Sequence, residues 1–501
     1  MGTGKQKAAK TAERNIGLQR TDFETVCENQ KGETEKSKNP KPGRKQKPKP
    51  VAINDADQIK ITIKHFFKNK INELISKIPD PRKVEQCIYS LNHLTWLGIL
   101  MFFFRLRSRN QLLKERETDA FLRNLLSLSG SDEETVAHPD TMNYLFELLP
   151  VNEIEFLKVQ LIKELIRKRF LDPLRMFGSF RIAVDATGLF SFGSRHCENC
   201  LVTNHNSKTT TYSHKMLEAK LISEHGFAFS ICSESIENVN GEYTKQDCEL
   251  KAFYRMAPVL RDLFPRTPIC LLLDGIYACD EVFNISRQNN WEFITVLKED
   301  RIPTLYKSAL AEIKKYPQNE LTIKSGNKTE TISWVRNIQY RQHKLHVIFS
   351  RKTEILNGEK TVTNNVWVTN IIPKANNVET LINKGGKQRW KIENQGFKEQ
   401  KCDGYELEHL YGENSNAWKN YYQLLQIAHM ITQLIVYGDL CQKLQEYSRS
   451  ENSSSPIRSF SEYYNTVRNF VRRICESFRN AHFSELTYTL IGKIQIRFSP
   501  G

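Results

Sequence analysis

Arg181-Ile-Ala-Val-Asp185-Ala-Thr-Gly188 is an unbroken apolar run that ends on a carboxylate, and Ile269-Cys-Leu-Leu-Leu-Asp274-Gly-Ile-Tyr277 repeats that design further along the chain. Neither run alternates apolar with polar residues, so each reads as a strand buried on both faces, as in the parallel part of a sheet. Each strand then delivers one Asp to a sheet edge. Carboxylate oxygens are the hard ligands that Mg²⁺ prefers, and Mn²⁺ accepts the same set. Two such ions about 4 Å apart hold both the attacking and the leaving oxygen of a phosphodiester displacement. The blander reading is that Asp-Gly is a common turn dipeptide and that Asp before Ala-Thr-Gly simply closes a strand.

Outward from these runs, residues 181–190, 213–222 and 227–234 read as three consecutive strands, 245–263 as a crossover helix and 268–274 as a strand parallel to the first. A helix over 280–289 and a strand over 293–297 follow. The stretch 321–371 carries the short strand-like runs Thr331–Val335, Lys344–Phe349 and Asn365–Thr369, with Gly-Asn and Asn-Gly turn signals between them. It reads as an all-β insertion. Beyond it, Lys387-Gln-Arg389-Trp-Lys-Ile-Glu393-Asn-Gln-Gly-Phe-Lys-Glu-Gln-Lys401 reads as a helix with Arg389 and Glu393 on one face.

Arg389-Trp-x-Ile-Glu393, after Asp274-Gly-x-Tyr277 and Val184-Asp185-x-Thr187-Gly188, resembles the DDE transposases of bacterial insertion sequences, specifically the fourth insertion-sequence family. The resemblance spans about residues 175–440. It implies a ribonuclease-H-like α/β fold, a mixed sheet flanked by helices, with a β-rich insertion between the second Asp and the Glu. In that family the glutamate helix carries Tyr, Arg, Glu and Lys with gaps of two, three and six residues. Arg389 and Glu393 fit this spacing, Gly386 stands at the Tyr position, Gln400 at the Lys position, and Lys401 comes one step late.

The resemblance further implies that Asp185, Asp274 and Glu393 hold two Mg²⁺ ions and that Arg389, Lys401 and Tyr277 contact DNA. Trp334 or Tyr340 of the insertion is expected to approach a base, although such aromatics more often belong to a core. The implied activity is cut-and-paste transposition by a homodimer on double-stranded transposon ends and target DNA, passing in family members through a hairpin with a flipped base. Two other readings stand beside it: a non-catalytic DNA-binding protein derived from a transposase, and a different ribonuclease-H-like nuclease, such as a junction-cutting enzyme.

A second constellation is Arg195-His196-Cys197-Glu-Asn-Cys200-Leu-Val-Thr-Asn-His205, with His214 beyond it. Cys-x-x-Cys with nearby histidines has zinc-ligand spacing, and His205 and His214 are the preferred third and fourth ligands, with His196 as the substitute. Two free thiols in a hairpin loop is the alternative.

The net charge of +16 and the pI near 9.2 suit a polyphosphate partner, though a basic surface also serves solubility. Residues 1–50 hold thirteen Lys or Arg against six acids and end in Pro40-Lys-Pro-Gly-Arg-Lys-Gln-Lys-Pro-Lys-Pro50. Such a segment buries no core and is expected to be a disordered basic arm, over residues 1–56. Residues 57–172 carry helical periodicity, at 59–78, 84–113, 118–128, 142–149 and 152–169, with Asp140 or Thr141 as an N-cap. In the family such a helical domain reads transposon ends; a packing domain is the alternative. The catalytic core is expected over 173–300 and 375–445, the insertion over 301–374 and a C-terminal helical segment over 446–501. The longest apolar stretch, Trp96–Phe104, is too short to span a bilayer, and eleven scattered cysteines suit a reducing compartment. The expected location is the cytoplasm, on the nucleoid through DNA.

Overall fold

The computed structural model describes residues 54–205, 209–238, 246–356, 359–448 and 456–498. The basic arm lies outside them, except for Asn54 to Ala56 at its end. Among the described residues seven α-helices precede the first strand: α1 (Asp57–Phe67), α2 (Lys70–Ile75), α3 (Leu91–Phe103), α4 (Arg109–Glu115), α5 (Asp119–Ser129), α6 (Pro139–Leu148) and α7 (Val151–Arg167). The periodicity of 59–78 and 84–113 is interrupted where caps outcompete it. Lys68 takes a left-handed φ of 52° between α1 and α2. Ser90 and Ser108 accept from the backbone N–H of His93 and Gln111 and so begin α3 and α4, with left-handed Arg105 and Arg107 between those helices. The N-cap of α6 is His138, not Asp140 or Thr141: its imidazole accepts from the Asp140 N–H, and Pro139 takes the first helical position.

Ten strands then form one mixed sheet: β1 (Phe180–Phe192), β2 (Leu201–His205), β3 (Thr209–Ile222), β4 (Ala228–Ile236), β5 (Ile269–Leu273), β6 (Glu292–Val296), β7 (Glu320–Ser325), β8 (Lys328–Tyr340), β9 (His343–Leu356) and β10 (Glu359–Thr369). Helices α8 (Glu249–Leu263), α9 (Asp280–Gln288) and α10 (Pro303–Ile313) connect β4 to β5, β5 to β6 and β6 to β7. The strand order is β2-β3-β1-β5-β6-β10-β9-β8-β7, with β4 also paired to β3. β1 is antiparallel to β3 and parallel to β5, and β5 is parallel to β6. The crossover through α8 is therefore the one anticipated from the sequence, and β2 is a further strand in the stretch between the first two expected ones.

The insertion is not all-β as expected. It contains a helix, α10, and its strands extend the central sheet, since β10 runs antiparallel to β6 with Trp367 opposite Val296. Sheet continuity satisfies the edge of β6, which a separate domain would leave exposed. Trp334 is 2% exposed and packs with Ile332, Ile348 and Trp367 in the core under this extension, so it presents no face to a base. Tyr340 is half-buried with its ring edge-on to Phe283.

After β10 the chain passes through α11 (Val378–Thr380), an irregular helical stretch, α12 (Glu399–Cys402), the long α13 (Ser415–Val436), α14 (Leu440–Ser448), α15 (Phe460–Tyr464), α16 (Val467–Asn480) and α17 (Glu485–Leu490). α13 is buried on most of its circumference and packs against α3, α6 and α7. Its polar residues close other elements: Asn420 donates to the carbonyls of Phe146 and Leu149 at 3.0 and 2.8 Å. Asn124 of α5 donates to the carbonyls of Phe478 and Ala481, which ties the C-terminal helices to the N-terminal ones. Among the described residues no helix is long and apolar enough to cross a membrane.

Candidate active site

Ala183 of β1 stands opposite Leu272 of β5 in parallel register, and Asp185 and Asp274 each follow two residues later. The two carboxylates therefore stand at the same level on neighbouring strands, where β5 ends and β1 runs on to Phe192. Asp274 caps the turn after β5, its side chain accepting from the Gly275 N–H. The third acid arrives from the far side of the insertion, on a segment that is not a regular helix. Leu381–Gly385 and Ile392–Lys398 are π-turns, with a 3₁₀ turn at Gly386–Gln388 between them. The expected continuous α-helix over 387–401 is thus replaced by wider turns, a form frequent at functional sites.

Packing accounts for part of this irregularity. A Cβ on Gly385 would stand 2.4 Å from Ile294 Cδ1 of β6, and one on Gly386 would stand 2.6 Å from the indole Nε1 of Trp367 on β10. The two glycines let the segment lie directly on the sheet. The Trp367 ring fills the space beside Gly386.

Arg389 joins the acids. Its Nη2 donates to Glu393 Oε1 at 2.7 Å and its Nη1 lies 3.4 Å from Asp185 Oδ2. Burial works against the guanidinium's charge, but the Glu393 hydrogen bond and the charges of Glu393, Asp185 and Asp274 raise its pKa overall. Asp185 is pushed up to about 7, chiefly by burial, with Arg389 opposing and the charges of Glu249 and Glu393 adding to the rise.

Glu249, the first residue of α8, is a fourth carboxylate that the sequence reading did not single out. Its pKa is raised by burial first; the hydrogen bond from Tyr277 opposes, and the charge of Asp274 adds. Tyr277 itself is fully buried and donates to Glu249 Oε1 at 2.7 Å. It holds an acid in place and has no surface for DNA, which corrects its expected role as a contact. The sequence signal available for Glu249 was its position at the N-terminus of the crossover helix, one strand before Asp274.

Gln400 is buried and hydrogen-bonded to Gln426 and His429 of α13, so it presents no side chain to a ligand. Lys401 is ion-paired with Glu408 at 2.7 Å. The π-turn between Glu393 and Lys401 also voids a count at α-helical spacing. Trp390, next to Arg389, is 43% exposed.

Four carboxylates, two of them raised by burial and like charge, offer hard oxygen donors of the kind divalent cations take, but the donor atoms of Asp185, Asp274 and Glu393 do not converge on a common point in this arrangement. Arg389 bridges Asp185 and Glu393 where a cation would otherwise neutralise them.

A second cluster lies in the loop after β1 and on β3. Cys197 Sγ and Cys200 Sγ are 3.6 Å apart, and His214 Nε2 is 3.2 and 3.3 Å from them. His214 is held near pKa 4, first by burial and with the charges of His196 and Lys419 adding, so its ring is neutral at physiological pH. His205, expected as a ligand, pairs with Thr209 at the far end of the β2–β3 hairpin, whereas Leu201, next to Cys200, pairs with Ser213. At about 3.3 Å per residue the two ends are roughly 13 Å apart, so His205 lies away from the cluster. No family model matches the sequence, and no curated protein is significantly similar to it.

Proposed function

We propose that this chain is a DNA transposase with a ribonuclease-H-like core, which binds the ends of its own element, cleaves at the transposon–donor boundary and joins the freed 3′ ends to target DNA. The observation that carries the reading is the shared two-residue offset of Asp185 and Asp274 beyond the Ala183–Leu272 pair, with Arg389 drawing Glu393 to the same sheet end. The strand order β4-β3-β1-β5-β6, antiparallel and then parallel, supports the ribonuclease-H-like assignment.

Asp185, Asp274 and Glu393 would hold divalent cations, which would supply activation of the attacking oxygen and stabilisation of the leaving one. The protein's own groups position them. Tyr277 orients Glu249 beside Asp274, and Arg389 keeps Asp185 and Glu393 aimed at one another. The Arg389 guanidinium also offers a DNA phosphate its fork geometry. The exposed Trp390 offers a stacking face to an unpaired base. Functional partners in this reading are double-stranded DNA and a second copy of the chain.

The test is to incubate the full chain and Mg²⁺ with DNA flanking its own gene and to map 3′ ends at nucleotide resolution. Nicks at the element boundary support the reading; uncut DNA that is nonetheless bound specifically supports the non-catalytic DNA-binding alternative.

A further inference from the structure

We propose that Cys197, Cys200 and His214 hold a structural zinc ion that anchors the loop after β1 to β3. A zinc ion with bonds of about 2.3 Å to sulfur and about 2.05 Å to nitrogen in tetrahedral geometry places its ligands about 3.8 Å (S to S) and about 3.5 Å (S to N) apart. The observed edges of 3.6, 3.2 and 3.3 Å form nearly that triangle. Among the described residues this is the one group of three or more His, Cys, Asp or Glu whose donor atoms converge on a common point.

The surroundings favour a bound ion over a pair of idle thiols. His214 is 2% exposed, its Nδ1 has no hydrogen-bond partner, and the two sulfurs are the polar atoms its Nε2 meets. Thiol contacts satisfy Nε2 only weakly, and a coordinate bond from Nε2 replaces them with a strong one, while Nδ1 stays unpartnered. Phe190 and Trp418 pack on the ring at 5.2 and 5.4 Å and fix its orientation. The fourth position falls to His196, which precedes Cys197 and stacks on Phe192 at 4.5 Å, or to water.

The loop so anchored is tied to the helix that carries Glu249. Asn238 donates from its side chain to the Cys200 carbonyl and from its backbone to the Asn199 carbonyl, both at 2.9 Å. Its side-chain oxygen accepts from the Asp247 N–H at 3.1 Å, and Gln246 exchanges hydrogen bonds with the backbone of Val202. Asp247 lies two residues before Glu249. Zinc therefore steadies the start of α8 from outside the carboxylate cluster, and the proposal stands independently of whether the chain cuts DNA.

The full chain, purified under reducing conditions without chelator, is expected to contain about one zinc per chain by elemental analysis. Cys200→Ser and His214→Ala should each lose it, while Cys87→Ser, outside the cluster, should keep it. Because these variants risk misfolding, chelator-stripped wild-type protein is also titrated with Co²⁺. Thiolate-to-cobalt charge-transfer and tetrahedral ligand-field bands saturating at about one equivalent support the site. Wild-type protein with no zinc and no cobalt bands overturns it, as does full zinc content in Cys200→Ser or a Cys197–Cys200 disulfide found by alkylation and mass spectrometry.

Discussion

Arg389 Nη1 lies 3.4 Å from Asp185 Oδ2 while its Nη2 holds Glu393, so one guanidinium occupies the charge position that a cation requires between two acids. Removing it leaves Asp185, Asp274, Glu249 and Glu393 without their shared positive neighbour. Arg389→Ala is expected to bind Mg²⁺ or Mn²⁺ roughly three- to tenfold more tightly, because a like charge has gone, and yet to cleave DNA more slowly. Calorimetric cation titration beside a nicking assay checks both signs; weaker cation binding would contradict the bridging role.

Single replacements Asp185→Ala, Asp274→Ala and Glu393→Ala are expected to abolish cleavage and leave end binding near wild type, since these acids act through bound cations while basic groups carry affinity. Cleavage retained in Glu393→Ala removes that residue from the ligand set.

Gly386 lies against the Trp367 indole closely enough that a Cβ would meet Nε1 at 2.6 Å. Gly386→Ala is expected to cost about 1–3 kcal/mol through overpacking, and the bulkier Gly386→Tyr more than that. Trp367→Phe should recover part of the loss, with a coupling of at least about 0.5 kcal/mol in a double-mutant cycle by denaturant unfolding. Additive effects would mean that the two positions do not collide.

Lys401 is paired with Glu408. If it contacts a phosphate in the DNA complex, Lys401→Ala should lower the salt slope of binding by about one unit, and the exposed Lys398→Ala should not. Glu408→Ala should then tighten binding by releasing the lysine. Identical behaviour of the two lysine variants identifies Lys401 as a solvated charge.

The raised pKa of Asp185 has a defined pH signature. Its folded value of about 7 lies above its ordinary value of 3.8, so the folded state keeps the proton longer than the unfolded chain does. Its contribution to metal-free stability is full below about pH 4 and is lost as pH rises from there to about 7. Asp185→Asn should remove this slope, visible as the wild-type minus variant difference in unfolding free energy across that window. Glu249→Gln removes a like charge and should shift the upper end of the window downward. An unchanged difference curve in Glu249→Gln would place Glu249 outside the cluster.

Asp185 and Asp274 were legible from sequence because a run buried on both faces is continuously apolar up to its first carboxylate, although only Asp274 marks a strand end, since β1 runs on past Asp185 to Phe192. Arg389 and Glu393 were legible from their four-residue spacing, although that spacing is realised on π-turns. The Cys197, Cys200 and His214 cluster was half legible: the Cys-x-x-Cys is local, but of the two expected histidine ligands only His214 joins it, because the hairpin register puts His214 beside the thiols and His205 at the opposite end. Tertiary structure alone decided that the insertion extends the sheet, that Trp334 and Gln400 are buried, and that Gly386 is flat against Trp367. It alone brought Glu249 and Tyr277 to the acids. Local pattern records which face of an element is apolar and where it ends, whereas these relationships arise between elements far apart in the chain, where contact, exclusion and shared charge exist only once the sheet has closed.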